Sequence, residues 1–208
     1  MTAWTCLYED RDLVAANKPA GLLAVAGRGE DGRDCLAARV AADVPGALVV
    51  HRLDQATSGV MVFARGAAAQ RALSMAFAAR RVEKRYEAVV LGLVAGDVGT
   101  IDLPLSTDWP NRPRQQVDHA RGKPSQTRWQ VLSRDVRTQT TRLQLEPITG
   151  RSHQLRVHLQ ATGHPIVGDT LYAPLSHGAP RLLLHACELR LPHPRDGHTL
   201  VLTSALPF

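Results

Sequence analysis

His51-Arg52-Leu53-Asp54-Gln55-Ala56-Thr57-Ser58-Gly59 runs directly into Val60-Met61-Val62-Phe63-Ala64. The second part is a short, continuous apolar run bounded by polar residues, which predicts a buried strand over 59–64. The first part places a carboxylate and two cations within four residues, followed by small polar groups. A carboxylate at the mouth of a strand can act as nucleophile or general base. Spacing alone also accommodates a plain turn, with Asp54 and Ser58 bonding local backbone.

Working outward, Leu13–Lys18 reads as a second buried strand, stopped by Pro19 and Gly21. Residues 27–34 are Gly- and Asp-rich and read as a loop. Cys35–Ala42 has helical composition and ends before Pro45-Gly46. Ala67–Arg81 is Ala-rich, with Leu73 and Phe77 four apart on one helical face. Arg85–Leu91 alternates and then turns apolar, a strand ended by Gly92. Residues 104–124 hold four prolines and many basic side chains, the composition of an ordered loop projecting from the body. Thr127–Val131 and Thr141–Leu145 alternate like paired antiparallel strands. Ser152 is placed to cap a short helix carrying Leu155 and Leu159, stopped by Gly163. Leu182–Leu191 and Leu200–Thr203 read as final strands. Strands outnumber helices without βαβ regularity, so the expected class is α+β with a mostly antiparallel sheet.

At 208 residues the chain is expected to form a single domain, residues 1–208. It is long enough to bury roughly 70% of its unfolded surface, and so needs no disulfide or metal staple. Apolar residues at 44% and charged residues at 21% exclude a disordered or fibrous chain. No apolar run of 18 residues occurs, and the N-terminus lacks a basic-then-apolar leader, so no membrane contact and a cytoplasmic location are expected. Three widely spaced cysteines, Cys6, Cys35 and Cys187, fit neither a disulfide framework nor a zinc knuckle. His153, His158 and His164 do not converge by local geometry, so no metal is expected there.

Charge narrows the function. The net charge is +6 and the excess is uneven: residues 65–85 carry six basic and one acidic side chain, and residues 112–142 carry eight and two. Two basic patches point to a polyanion such as RNA or DNA, although a solvated surface in an Arg-rich chain gives the same tally. With nine aromatic rings in all, a design that stacks many successive bases is excluded. Nucleic-acid binding would rest on phosphate contacts and shape, with one or two stacking sites.

Two further polar segments stand out. Glu146–Arg156 joins a strand to a helix start, and Arg151 at that junction could pair with a carboxylate in a bidentate fork or simply lie on the surface. Lys84-Arg85-Tyr86-Glu87-Ala88 opens a strand, where a Tyr stacks on a base, transfers a proton or is half-buried.

Taken together these tracts resemble the RluA-type pseudouridine synthase family from about Asn17 to Leu191. Asn-Lys-Pro-x-Gly-Leu stands at Asn17–Leu22, His-Arg-Leu-Asp-x-x-Thr-Ser-Gly at His51–Gly59, and Lys-x-Tyr-x-Ala-x-Val-x-Gly at Lys84–Gly92. Gly-Arg-x-His-Gln-Leu-Arg-Val-His stands at Gly150–His158, Gly-His-Pro-Ile-x-Gly-Asp at Gly163–Asp169, and Leu-Leu-His-Ala at Leu183–Ala186. The tracts Asp108–Pro113 and Gly122–Pro124 look like the short subgroup that acts on both large-subunit (23S) ribosomal RNA and transfer RNA. Only 16 residues precede the first motif, so an N-terminal S4-like domain is not expected.

The resemblance implies an α+β pseudouridine synthase fold, a mixed sheet flanked by helices and loops with a central active-site cleft. It implies an isomerase that turns a uridine in an RNA stem-loop into pseudouridine with no cofactor and no metal. Asp54 would be the nucleophile, Arg151 its guanidinium partner and Tyr86 the active-site tyrosine; Leu184 would form an apolar wall. Arg52 would fill the space left by the extruded base, and Lys18, Arg112, Arg114, Arg121 and Lys123 would contact phosphate. A monomer with no obligatory protein partner is expected. Two competing readings, a non-catalytic RNA-binding module and a nucleoside hydrolase or glycosylase, share part of this constellation.

Overall fold

The computed structural model describes residues 4–27, 33–173 and 179–208; of the expected 27–34 loop, residues 28–32 lie outside them. The fold is α+β, and the chain divides into two compact units, residues 1–84 with 185–207, and residues 85–184 with Phe208.

The first unit is built on β4 (Ser58–Arg65). Strand β2 (Leu13–Lys18) pairs antiparallel along one edge of β4, with Leu13 opposite Ala64 and Lys18 opposite Gly59, and β1 (Thr5–Glu9) pairs with β2. On the other edge, β11 (Leu184–Pro192) runs parallel to the start of β4 and β3 (Ala47–Val49) runs antiparallel to its end. Strand β12 (Thr199–Thr203) pairs with β11. Both faces are covered. Val60, Val62 and Ala64 point at Leu73 and Ala76 of α2 (Ala67–Ala78), while Met61 and Phe63 point at Leu36 and Val40 of α1 (Leu36–Asp43). A strand buried on both sides has no polar face to alternate with, so β4 reads as an unbroken apolar run. The Cys35 thiol caps α1 by accepting from the Ala38 N–H. Helix α2 stops at Ala78, short of the expected Arg81, because Arg80 takes a positive φ.

Gly59 is where β4 meets β11. Its φ is +120°, and a Cβ there would lie 2.2 Å from the Ala186 carbonyl oxygen. Backbone cannot yield as a flexible side chain does, so Gly59→Ala should cost about 2–3 kcal/mol, read as a lower denaturant midpoint at an unchanged slope.

The second unit holds an antiparallel sheet in the order β5 (Glu83–Leu91), β10 (Thr140–Pro147), β9 (Gln126–Asp135), β6 (Val98–Asp102). The expected pairing of 127–131 with 141–145 is present: Leu143 lies opposite Val131 and Leu145 opposite Trp129. The 104–124 segment contains a hairpin that alternation over so few residues could not announce, β7 (Leu105–Thr107) with β8 (Gln115–Val117). Helix α3 (Gln154–Ala161) starts one residue later than a Ser152 cap requires; its first flanking residue is His153, at φ 53°, with no side-chain cap.

Candidate active site

The loop bearing Asp54 is fixed from both sides within the first unit. On the N-terminal side, the His51 ring stacks on Phe77 of α2 at 4.6 Å, and its Nε2 accepts the Val62 N–H at 2.9 Å. Burial, and then the Lys84 ammonium, push this imidazole down to about 3. It is therefore neutral and keeps the lone pair that the bond to β4 requires. On the C-terminal side, the Thr57 N–H donates to the Asp54 carbonyl, and the Gly21 N–H donates to the Gln55 carbonyl. Lys18 Nζ donates to the carbonyls of Pro19, Leu22 and Gln55 at 2.9, 2.7 and 3.0 Å. The Asn17–Leu22 and His51–Gly59 motifs thus meet through one ammonium.

That geometry corrects one expectation. Lys18 is fully buried, so it does not contact phosphate. An ammonium without solvent must find other oxygens, and it has found backbone carbonyls on two loops. Sequence missed this because a lysine beside a turn looks the same whether it points inward or outward.

The end of the Asp54 motif is pinned as well. Ser58 Oγ lies 2.8 Å from His185 Nδ1, and His185 Nε2 lies 3.1 Å from Ser204 Oγ, all three residues being buried. The histidine of the Leu-Leu-His-Ala tract therefore locks β4 to β11, a role the sequence did not reveal. Asp54 itself is half-buried, Leu53 beside it is buried, and Arg52 is exposed. A half-buried carboxylate on an immobilised turn is suited to nucleophilic or general-base work, since it costs little to orient at the moment of reaction.

The other expected site residues belong to the second unit. Tyr86 is half-buried on β5, opposite Leu145 of β10. Leu184 is buried at the first position of β11. Arg151 is exposed on the turn before α3, and its Nε and Nη2 each lie 3.4 Å from the Pro124 carbonyl. Both bonds go to a carbonyl oxygen and sit at the long, weak end of the range.

The turn that carries Arg151 is built by Gln154, which sequence reading passed over. Gln154 Oε1 accepts from the Arg151 N–H at 3.1 Å and from Thr149 Oγ1 at 2.7 Å. Its Nε2 donates to the Gln126 carbonyl and to Thr127 Oγ1. Two residues on, Arg156 makes a buried bidentate pair with Asp169 at 2.8 and 2.7 Å. Two further, His158 Nε2 faces the Leu103 carbonyl and Nδ1 faces Thr127 Oγ1. A carbonyl only accepts, so Nε2 carries the proton, and burial lowers the pKa of this ring. His153 Nδ1 bonds the Tyr172 hydroxyl and His164 Nδ1 bonds the Leu91 carbonyl, so each of these histidines has a partner of its own.

Arg112, Arg114, Arg121 and Lys123 are exposed on and beside the β7–β8 hairpin. Arg112 lies over the Trp109 ring and Arg114 over the Tyr172 ring.

Comparison with known proteins gives a consistent picture. The sequence profile of a family described as RNA pseudouridylate synthase matches residues 12–161. The chain is 52% identical over 199 residues to the "Dual-specificity RNA pseudouridine synthase RluA" of Vibrio vulnificus (strain CMCP6), covering 93% of this chain and 80% of that one. It is 48% identical over 204 residues to the protein of the same name from Escherichia coli (strain K12), covering 97% and 93%. Among solved structures, human RNA Pseudouridylate Synthase Domain Containing 1 superimposes with a TM-score of 0.83 at 30% identity, covering 99% of this chain and 84% of that one. Human RNA Pseudouridylate Synthase Domain Containing 4 superimposes with a TM-score of 0.76 at 28% identity, covering 97% and 88%.

Proposed function

Since the chain belongs to the RNA pseudouridylate synthase family and isomerises uridine within RNA, we propose that it is a dual-specificity enzyme acting on stem-loops of both 23S ribosomal RNA and transfer RNA. The observation that carries the mechanism is the Asp54 turn, held by His51 on one side and by Lys18 and the Gln55 carbonyl on the other. A carboxylate so fixed attacks, or takes a proton from, a nucleotide brought to it.

In the reaction the bond from uracil N1 to ribose C1′ breaks, the base turns, and a bond from C5 to C1′ forms. The C5 hydrogen leaves as a proton and N1 regains one, so product and substrate are isomers and the balance needs no redox carrier. Asp54 acts as nucleophile or base, and Tyr86 stacks on the uracil and helps remove the C5 proton. Arg151 is the guanidinium partner of the carboxylate and gives up its weak Pro124 bonds for that role. Arg52 occupies the gap left by the extruded base, whose unstacking costs a few kcal/mol. Leu184 supplies apolar wall. Arg112, Arg114, Arg121 and Lys123 contact phosphate, so affinity falls steeply as salt rises. The protein works as a cytoplasmic monomer without a metal, a cofactor or an obligatory protein partner.

The test is to incubate the protein with 23S and transfer-RNA stem-loops tritiated at uracil C5. Tritium appears in water and pseudouridine in both RNAs. No release from either RNA overturns the assignment, release from one alone overturns dual specificity, and free uracil among the products identifies a glycosylase instead.

A further inference from the structure

We propose that Trp109 is a stacking platform for an unpaired nucleobase of the RNA loop, a base other than the one that reacts. The inference rests on the RNA reading above. Trp109 stands on the tip of the β7–β8 hairpin, residues 108–114.

The tip is a closed, internally bonded structure. The Asp108 N–H donates to the Arg114 carbonyl, the Arg114 N–H to the Asn111 carbonyl, and the Asn111 N–H to the Asp108 carbonyl, at 3.0–3.1 Å. Asn111 Nδ2 also donates to both carboxylate oxygens of Asp108. At its base, the Gln115 N–H donates to the Tyr172 hydroxyl at 2.7 Å. On this framed tip the indole of Trp109 remains 69% exposed. The Arg112 guanidinium lies over it, 4.7 Å from the ring centroid. Framing of this kind holds a large apolar ring in water instead of folding it under the hairpin.

The charge around the ring selects the ligand. Asp118 is consumed within the segment, accepting from the Ala120 and Arg121 N–H groups and from Ser106 Oγ. Asp108 is likewise tied to Asn111. Arg112, Arg114, Arg121 and Lys123 face solvent. An exposed indole beside a guanidinium, on a segment where four cations outnumber two carboxylates, fits an aromatic ligand attached to phosphates. A base inside a helix has both faces covered by its neighbours, whereas a loop base offers one to the indole. The platform therefore favours loops over duplex and adds to the selection of stem-loop substrates.

The experiment uses the full chain and the transfer-RNA stem-loop, comparing wild type, Trp109→Ala and Trp109→Phe. Stacking on an aromatic ring predicts that Trp109→Ala raises KM about 5- to 150-fold with kcat within about threefold, and that Trp109→Phe recovers most of the loss. Tryptophan emission should be quenched when RNA binds to the wild type. In Trp109→Phe, which keeps Trp4 and Trp129, most of that quench should vanish. An unchanged KM in a folded Trp109→Ala, or a quench that survives Trp109→Phe, overturns the proposal while leaving the isomerase reading intact. Concentration-dependent self-association lost in Trp109→Ala also overturns it, since the ring then serves a second copy of the chain. A wild type that forms no pseudouridine instead fails the reading on which the proposal rests.

Discussion

Asp54→Asn lowers the rate of pseudouridine formation by about 10^4-fold or more, while the protein stays folded and still binds RNA. The substitution keeps the shape of the side chain and removes only its charge and basicity. The Asp54 and Gln55 carbonyls, the Lys18 ammonium and the His51 ring all hold the loop, and the substitution leaves each of these bonds in place. The turn should therefore survive, and the loss should fall on chemistry. Removing a group that acts directly on the reacting atoms commonly costs several decades of rate, at 1.36 kcal/mol per decade. Single-turnover tritium release measures the rate, fluorescence anisotropy the affinity, and a thermal scan the fold. A residual rate above a tenth of wild type would remove Asp54 from the mechanism. Asp54→Ala is the companion variant, because an asparagine can deamidate back to the carboxylate and an alanine cannot. The same pair separates the catalyst from a plain RNA-binding module, which would keep full biological activity without the carboxylate.

Much of this site is legible in sequence because its parts are punctuated. The apolar run at 60–64 has no polar face, and the structure buries it between α1 and α2. Alternation at 127–131 and 141–145 gives the β9–β10 pairing, and the structure adds its register, with Trp129 opposite Leu145. What stayed hidden is the reason for individual motif residues. Lys18 reads as a surface cation until the fold brings Leu22 and Gln55 around it. His185 and Ser58 are 127 positions apart, and no local pattern links them. Strands β7 and β8, three residues each, are too short for a period to register, and their tip is set by hydrogen bonds specific to Asp108, Asn111 and Arg114. Ser152 was the natural cap by residue type, yet Gln154 takes the Thr149 hydroxyl and the Arg151 N–H. The helix start is fixed by a glutamine inside its first turn, where capping preferences carry no signal.

The second large effect belongs to Arg156 and Asp169, and it concerns stability. Both side chains are almost wholly buried, at 4% and 0% exposure, and they meet in a two-bond fork. Asp169 Oδ1 also accepts the N–H groups of Leu171 and Tyr172. Removing the carboxylate would take a two-bond fork from a buried guanidinium and the acceptor from two amides. Losing one partner of a buried pair costs about 3–5 kcal/mol, because the remaining charge is left uncompensated. Asp169→Ala should therefore lower the thermal midpoint by about 6–20 °C for a chain of this length. Asp169→Asn should lose somewhat less, since its amide oxygen can still accept the two N–H bonds. Joining Arg156→Met to Asp169→Asn removes the buried guanidinium and should recover part of the loss, so the double-mutant cycle returns a coupling energy of about 1–3 kcal/mol. Additive single losses would mean that the pair is not coupled, and a drop below about 1 kcal/mol in Asp169→Ala would mean that water reaches the site. Activity supplies a second reading. Arg156 follows Gln154 by two positions on α3, and Gln154 holds the turn bearing Arg151. At a temperature where Asp169→Asn remains folded, loosening that helix should lower kcat more than it raises KM. A kcat per folded molecule equal to that of the wild type would place the consequence of the pair in global stability alone.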